Sequence, residues 1–164
     1  MMKGLQQPEY IHVLLNHLPI SGLFAAILFL IAALVIRNRP AIFIALALVT
    51  LFSLSAWPVA EYGQEAYDRV LAMSDDDGAA YLTHHRDLAE RWVFLFYVTA
   101  GVAAGSILVG AKWPRLLQVA ASASAILAIS SLIAGGVIAD YGGKVRHREF
   151  RIGPAPIGPH KPPG

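Results

Sequence analysis

The sequence predicts an all-α fold, an integral membrane bundle of four helices that reads as two helix hairpins in tandem. Three observations predict it. Hydrophobic residues make up 56% of the 164 residues and charged residues only 15%, against about 25% charged in a typical soluble domain. The apolar residues fall in four long blocks, each near the roughly 20 residues that a helix needs to cross a bilayer. The blocks are separated by one long polar stretch and two short connectors that are basic and contain proline.

The first block runs from about Leu18 to Ile36, the second from about Ala41 to Ala60, the third from about Trp92 to Ala111 and the fourth from about Leu116 to Ala139. None carries a charge at its centre, and none shows the polar stripe of a surface helix. Arg37-Asn38-Arg39-Pro40 joins the first pair and Lys112-Trp113-Pro114-Arg115 the second. Both connectors read as tight hairpins. The first block is too long for a signal-peptide core, and arginines follow it where a cleavage site would need small residues. Residues 1–152 thus form one transmembrane domain. The Pro/Gly-rich stretch 153–164 is expected to be an extended tail. The segment from Glu61 to Arg91 reads as an extramembrane loop, within which Asp75-Asp76-Asp77-Gly78 marks a turn and a capped helix start.

Four spans place the N-terminus, the long segment and the C-terminus on one face. All six histidines (His12, His17, His84, His85, His147 and His160), all 11 acidic residues and nine of the 13 basic residues fall there. The other face keeps only Arg37, Arg39, Lys112 and Arg115. Cations concentrated in very short loops favour the cytoplasm. The histidine face is therefore expected to be periplasmic, in a bacterial inner membrane.

The ends of the second and fourth blocks repeat. Ala60-Glu61-Tyr62-Gly63 and Ala139-Asp140-Tyr141-Gly142 each give a small residue, an acid, tyrosine and glycine. Histidines precede the first and third blocks. Two copies of a hairpin about an axis along the membrane normal would set the two histidine groups facing each other. An acid and an interfacial tyrosine ending a span is the plainer explanation.

With no cysteine in the chain, disulfides, thiolate-bound zinc, thiolate-bound iron–sulfur clusters and covalently attached haem are excluded. A net charge of +2 offers no field for nucleic acid. No Glu-x-x-His pair of a carboxylate-bridged di-iron site lies in a block, and no nucleophile triad is visible. Histidines are left to carry the chemistry. In IHVLLNHLPISG, Asn16 is suited to cap the first span, with Pro19 in its first turn and His17 at its mouth. In YLTHHRDLAERW, His85 shares a helical face with Trp92, which continues into the third span, whereas His84 shares a face with Asp87. His85 is therefore the inward candidate. In YGGKVRHREF, Arg146 and Arg148 flank His147 and could clamp an anion such as a propionate. Ser124, Ala128, Ser131 and Gly135 form a small-residue stripe, and Gly101 and Gly105 a G-x-x-x-G, both features of close helix packing.

IHVLLNHLPISG, the His85-Arg86 pair and the Gly142-Gly143 exit with His147 resemble a bacterial domain-of-unknown-function family. Its members are small four-helix membrane proteins opening on a His-Pro-Leu-Leu-Val-His-Phe-Pro-like motif, and the resemblance covers about residues 10–148. His12, His17 and Pro19 match that opening, while Val13 stands where the family has proline. The resemblance implies haem-binding or redox-associated membrane proteins, some of them linked to cytochrome c domains.

Two functions follow as expectations. The first is an electron-transfer subunit holding b-type haem through His17 and His85, with a second site from His12 and His147 and with Arg146 and Arg148 near propionates. Such a subunit would sit in a respiratory or photosynthetic complex between quinol and a periplasmic cytochrome c, without a catalytic site of its own. The second is a haem-free accessory subunit that anchors a larger complex. Copper, zinc or non-haem iron would suit the same residues.

Overall fold

A computed structural model describes residues 7–157. Four long helices account for nearly all of them: α1 (Pro8–Val35), α2 (Arg39–Met73), α3 (Asp76–Lys112) and α4 (Pro114–Arg146). Each is long and apolar enough to cross a membrane. α1 packs on α2 and α4, and α3 also packs on α2 and α4. The four helices therefore close a ring in chain order, with α1 and α3 on one diagonal.

Local chemistry sets the helix ends. Asn38 Oδ1 accepts from the Ala41 amide at 3.0 Å and caps α2. Asp75 Oδ1 accepts from the Gly78 amide at 2.8 Å and caps α3. Pro8, Pro40 and Pro114 occupy first-turn positions, where a missing N–H costs nothing.

The helices run farther than the apolar blocks. α1 begins at Pro8, about ten residues before the expected start, so Asn16 does not cap its N-terminus but closes the first α-helical stretch, Pro8–Leu15. Pro19, without an N–H, lies in a π-helical turn spanning Leu18–Gly22, the usual way a helix absorbs such a gap. α2 is interrupted only at Ser55, between helical Arg39–Leu54 and Ala56–Met73. There Pro58 leaves the Leu54 carbonyl without its i+4 donor. The expected loop from Glu61 to Arg91 is mostly the helical ends of α2 and α3, joined at Ser74 and Asp75. Hydropathy detects where a helix is apolar, whereas Ala, Leu, Glu and Arg keep the backbone helical well past that point. At 1.5 Å per residue, the 37 residues of α3 extend about 55 Å, beyond a hydrocarbon core of about 30 Å.

Leu23, Leu30, Ile42, Leu46 and Leu117 are sealed in the centre. Outward-facing side chains are also apolar, Leu28, Ile44, Leu108 and Ile133 among them. The α4 stripe of Ser124, Ala128, Ser131 and Gly135 is wholly buried. Ser131 hydrogen-bonds Thr99 at 2.8 Å and Ser124 hydrogen-bonds Ser106 at 3.0 Å, both across to α3. A Cβ on Gly135 would stand 2.6 Å from Ile20 and 2.9 Å from Phe96, so glycine is needed for this approach. Gly101 and Gly105 behave otherwise. A Cβ on either would meet nothing within 4 Å, so this G-x-x-x-G does not lie in a helix seam of the bundle.

Candidate histidine centre

His12 on α1 and His85 on α3 meet across the bundle diagonal. Their ring centroids are 6.3 Å apart and their planes cross at 86°. Each imidazole is held by the other helix of its own hairpin. His12 Nδ1 lies 2.8 Å from the Val59 carbonyl on α2, and His85 Nδ1 lies 2.8 Å from the Ile138 carbonyl on α4. A carbonyl only accepts, so Nδ1 carries the proton in both rings. The neutral tautomer then leaves the Nε2 lone pair bare, and the Nδ1–H bond fixes the ring's orientation, the arrangement usual for a ligating histidine.

The same two hairpins supply matching seats. Val59 stands four residues before Gly63, and Ile138 four before Gly142. On a helix such pairs share a face. A Cβ on Gly63 would lie 3.0 Å from His12 Cε1 and Nδ1, and one on Gly142 would lie 3.0 Å from His85 Cε1. Each glycine thus admits the Nδ1–Cε1 edge of an imidazole close to the helix that also offers it a carbonyl. The repeated acid-Tyr-Gly of the sequence falls on these two seats, so the two halves make equivalent contacts.

The pairing differs from the expected one. His85 meets the Ile138 carbonyl of its hairpin partner, and its neighbour across the bundle is His12, not the expected His17. His17 is exposed, at the edge of a groove with Tyr10, Val13 and Leu14. The earlier start of α1 accounts for this. His12 lies inside a helix that begins well before the expected first span, and five residues on, His17 has rotated well away from it. His147 does not join His12: it is exposed, with Nδ1 2.9 Å from Glu149 Oε1 and its ring on Phe150. His84 packs at a tilt against Tyr141, with centroids 4.4 Å apart and planes at 53°. Arg146 is exposed one turn beyond Gly142. Arg148 reaches Asp75 at 2.7 Å. His160 lies outside the described residues.

Arg151 plays a part that sequence reasoning did not assign. Its guanidinium binds Asp75 at 3.0 Å and donates to the Lys144 and Val145 carbonyls at 2.7 and 2.8 Å. It therefore ties the last turn of α4 to the α2–α3 turn, and the side chain is only 10% exposed. The Asp75 carboxyl is held down to about 2, first by the hydrogen bond from Arg151 and then by the Gly78 amide.

The donor set limits what the pair can hold. Imidazole nitrogens bind transition metals at about 2 Å, so an ion held by both residues would need the Nε2 atoms of His12 and His85 within that reach. With ring centroids 6.3 Å apart, the two residues are near enough to share one ion. Among the described residues no third His, Asp or Glu completes a metal-binding group. Zinc sites take at least three protein ligands and facial non-haem iron also takes three. Two neutral imidazoles from different helices would suit instead an ion whose remaining ligands come from elsewhere, as a porphyrin supplies them to haem iron, or a copper ion. Comparison with known proteins gives no further guide, since no family model, curated protein or solved structure matches the chain.

Proposed function

We propose that the chain is a multi-pass subunit of a bacterial inner membrane that holds one b-type haem between His12 and His85 and relays electrons within a larger complex. The observation that carries this reading is the 6.3 Å spacing of two rings whose Nδ1 atoms are both engaged on backbone carbonyls. The haem would supply a one-electron carrier. The chain's part is to present two Nε2 lone pairs from diagonal helices of the bundle and to fix both rings through Val59 and Ile138. The outward apolar faces of all four helices support the membrane setting. Quinol and a periplasmic cytochrome c are the partners this reading implies, and no residue is assigned a catalytic role.

A reduced-minus-oxidised spectrum of the purified protein, with pyridine haemochrome analysis, tests it. A b-type spectrum that disappears in His12→Ala and in His85→Ala is the expected result. Metal analysis that finds copper without haem would redirect the same two ligands to a different ion.

A second reading, a haem-free accessory subunit, draws on a different observation. Gly101 and Gly105 meet no neighbour in the bundle, which leaves a smooth strip on α3 for a helix of another subunit. This reading expects no haem spectrum and co-purification that Gly101→Leu weakens.

A further inference from the structure

An open groove of about 670 Å³ runs between α1 and α4 at the hairpin end of the bundle, away from the histidines. Val35, Val119, Ala123 and Ile126 give it apolar walls, and Arg37 and Gln118 its polar mouth. Val119 and Ile126 are seven residues apart on α4, about 10 Å along the axis. The apolar strip therefore leads from the charged mouth toward the middle of the helices.

Arg37 is placed at a cost. Its φ is 54°, and it is the only described residue other than glycine with positive φ. Its amide donates to Leu34 at 3.2 Å and the Asn38 amide to Ala33 at 3.1 Å, the Schellman closure that usually employs glycine. A side chain here costs roughly 1–2 kcal/mol in backbone strain, and what it gains is a cation at the groove mouth. Gln118 Nε2 donates to the Leu34 carbonyl at 3.3 Å and pins α4 to the same turn. The two connectors at this end hold Arg37, Arg39, Lys112 and Arg115 and no acid.

We propose that this groove binds an anionic phospholipid of the adjacent leaflet, with its phosphate at Arg37 and one acyl chain along Val119, Ala123 and Ile126. The proposal rests on the membrane-spanning reading and not on the haem. A cation followed by an apolar strip in the direction of the bilayer centre matches an amphiphile. A soluble anion would leave the strip unused. Basic pockets between transmembrane helices recognise such headgroups by charge.

The test uses the purified full-length protein offered equal phosphatidylglycerol and phosphatidylcholine, with retained lipid read by native mass spectrometry. Phosphatidylglycerol should be retained over phosphatidylcholine by about fivefold, the effect of one well-placed cation. Arg37→Gly should bring the two lipids near parity while raising the thermal stability of the lipid-free protein, because the strain is relieved. Ala123→Phe should lower retention of both lipids, and Arg115→Gln, outside the groove, should keep the preference. Parity in the unaltered protein, equal loss in Arg115→Gln, or indifference to Ala123→Phe would each overturn the site. So would displacement of the lipid by millimolar inorganic phosphate. A carbonate wash separates the two premises. Release of the chain from membranes defeats the membrane reading itself, whereas a chain that stays bound without lipid preference defeats the site alone.

Discussion

His12 and His85 belong to different hairpins and diagonal helices, yet their rings meet at 6.3 Å and nearly at right angles. Each is oriented by a carbonyl of its own hairpin, so the geometry is built twice and then opposed. On the haem reading, His12→Ala and His85→Ala should each lower haem loading, since each removes one of the two proposed ligands. His17→Ala should leave loading unchanged, because His17 is exposed. Haem content per polypeptide measures all three, and equal loss in His17→Ala would refute the assigned pair.

The glycine seats give a milder perturbation of the same centre. A Cβ at Gly63 or Gly142 would crowd the ring at 3.0 Å, which obliges the imidazole to shift by a few tenths of an ångström. Gly63→Ala and Gly142→Ala should therefore keep the fold at a cost of about 1–2 kcal/mol. On the haem reading, both should shift the haem midpoint potential or absorption maximum in the same direction, since the seats are equivalent. Gly136→Ala, where a Cβ meets nothing within 4 Å, is the control.

Much of this was legible in the sequence. Four apolar blocks and two basic connectors locate the helices, and the face shared with Trp92 singles out His85 over His84. The repeat of acid-Tyr-Gly marks both imidazole seats. What hydropathy could not show is how far the helices continue. That continuation decides between His12 and His17, because starting α1 at Pro8 brings His12 onto the side that meets Val59. Pro8 followed by Glu9 was a usable first-turn signal, and Gly63 without a ring to seat was another. The role of Arg151 was not legible, since its partners Asp75, Lys144 and Val145 come together only when α4 closes on the α2–α3 turn.

The Asp75–Arg151 tie predicts an acid-sensitive step. Asp75 titrates at about 2, below its ordinary 3.8, chiefly because Arg151 hydrogen-bonds its charged form. A depressed carboxyl stabilises the fold in full above its ordinary value and loses that contribution as pH falls through the folded value. Thermal stability of the detergent-solubilised protein should therefore fall between about pH 4 and pH 2. Asp75→Asn keeps an acceptor for the Gly78 amide but removes the charge, and should flatten that part of the profile. A profile of unchanged steepness in Asp75→Asn would remove the tie from the account.

Inside the bundle, Thr99 and Ser131 share a fully buried hydrogen bond of 2.8 Å. Thr99→Val and Ser131→Ala should each destabilise by about 1 kcal/mol, and the double variant by less than the sum, with a coupling of about 0.6 kcal/mol typical of such pairs in membrane proteins. Unfolding titrations in mixed micelles measure the cycle. Strict additivity would mean that the two hydroxyls find other acceptors once separated.

The arrangement of the ends is open to direct chemical test. The chain has no cysteine, so single cysteines report without background. Asp77, exposed just after the α2–α3 turn, and Arg115, exposed in the first turn of α4, lie at opposite ends of the bundle. In spheroplasts, a membrane-impermeant maleimide should label Asp77→Cys and spare Arg115→Cys, because basic residues crowded into short connectors favour the cytoplasmic side. In inverted vesicles the pattern should reverse. Labelling of both positions from one side would contradict a bundle that crosses the bilayer, whereas a clean reversal of the two patterns would keep the bundle and turn it over. The second result would move the histidine pair to the cytoplasmic face and put a periplasmic cytochrome c out of its reach.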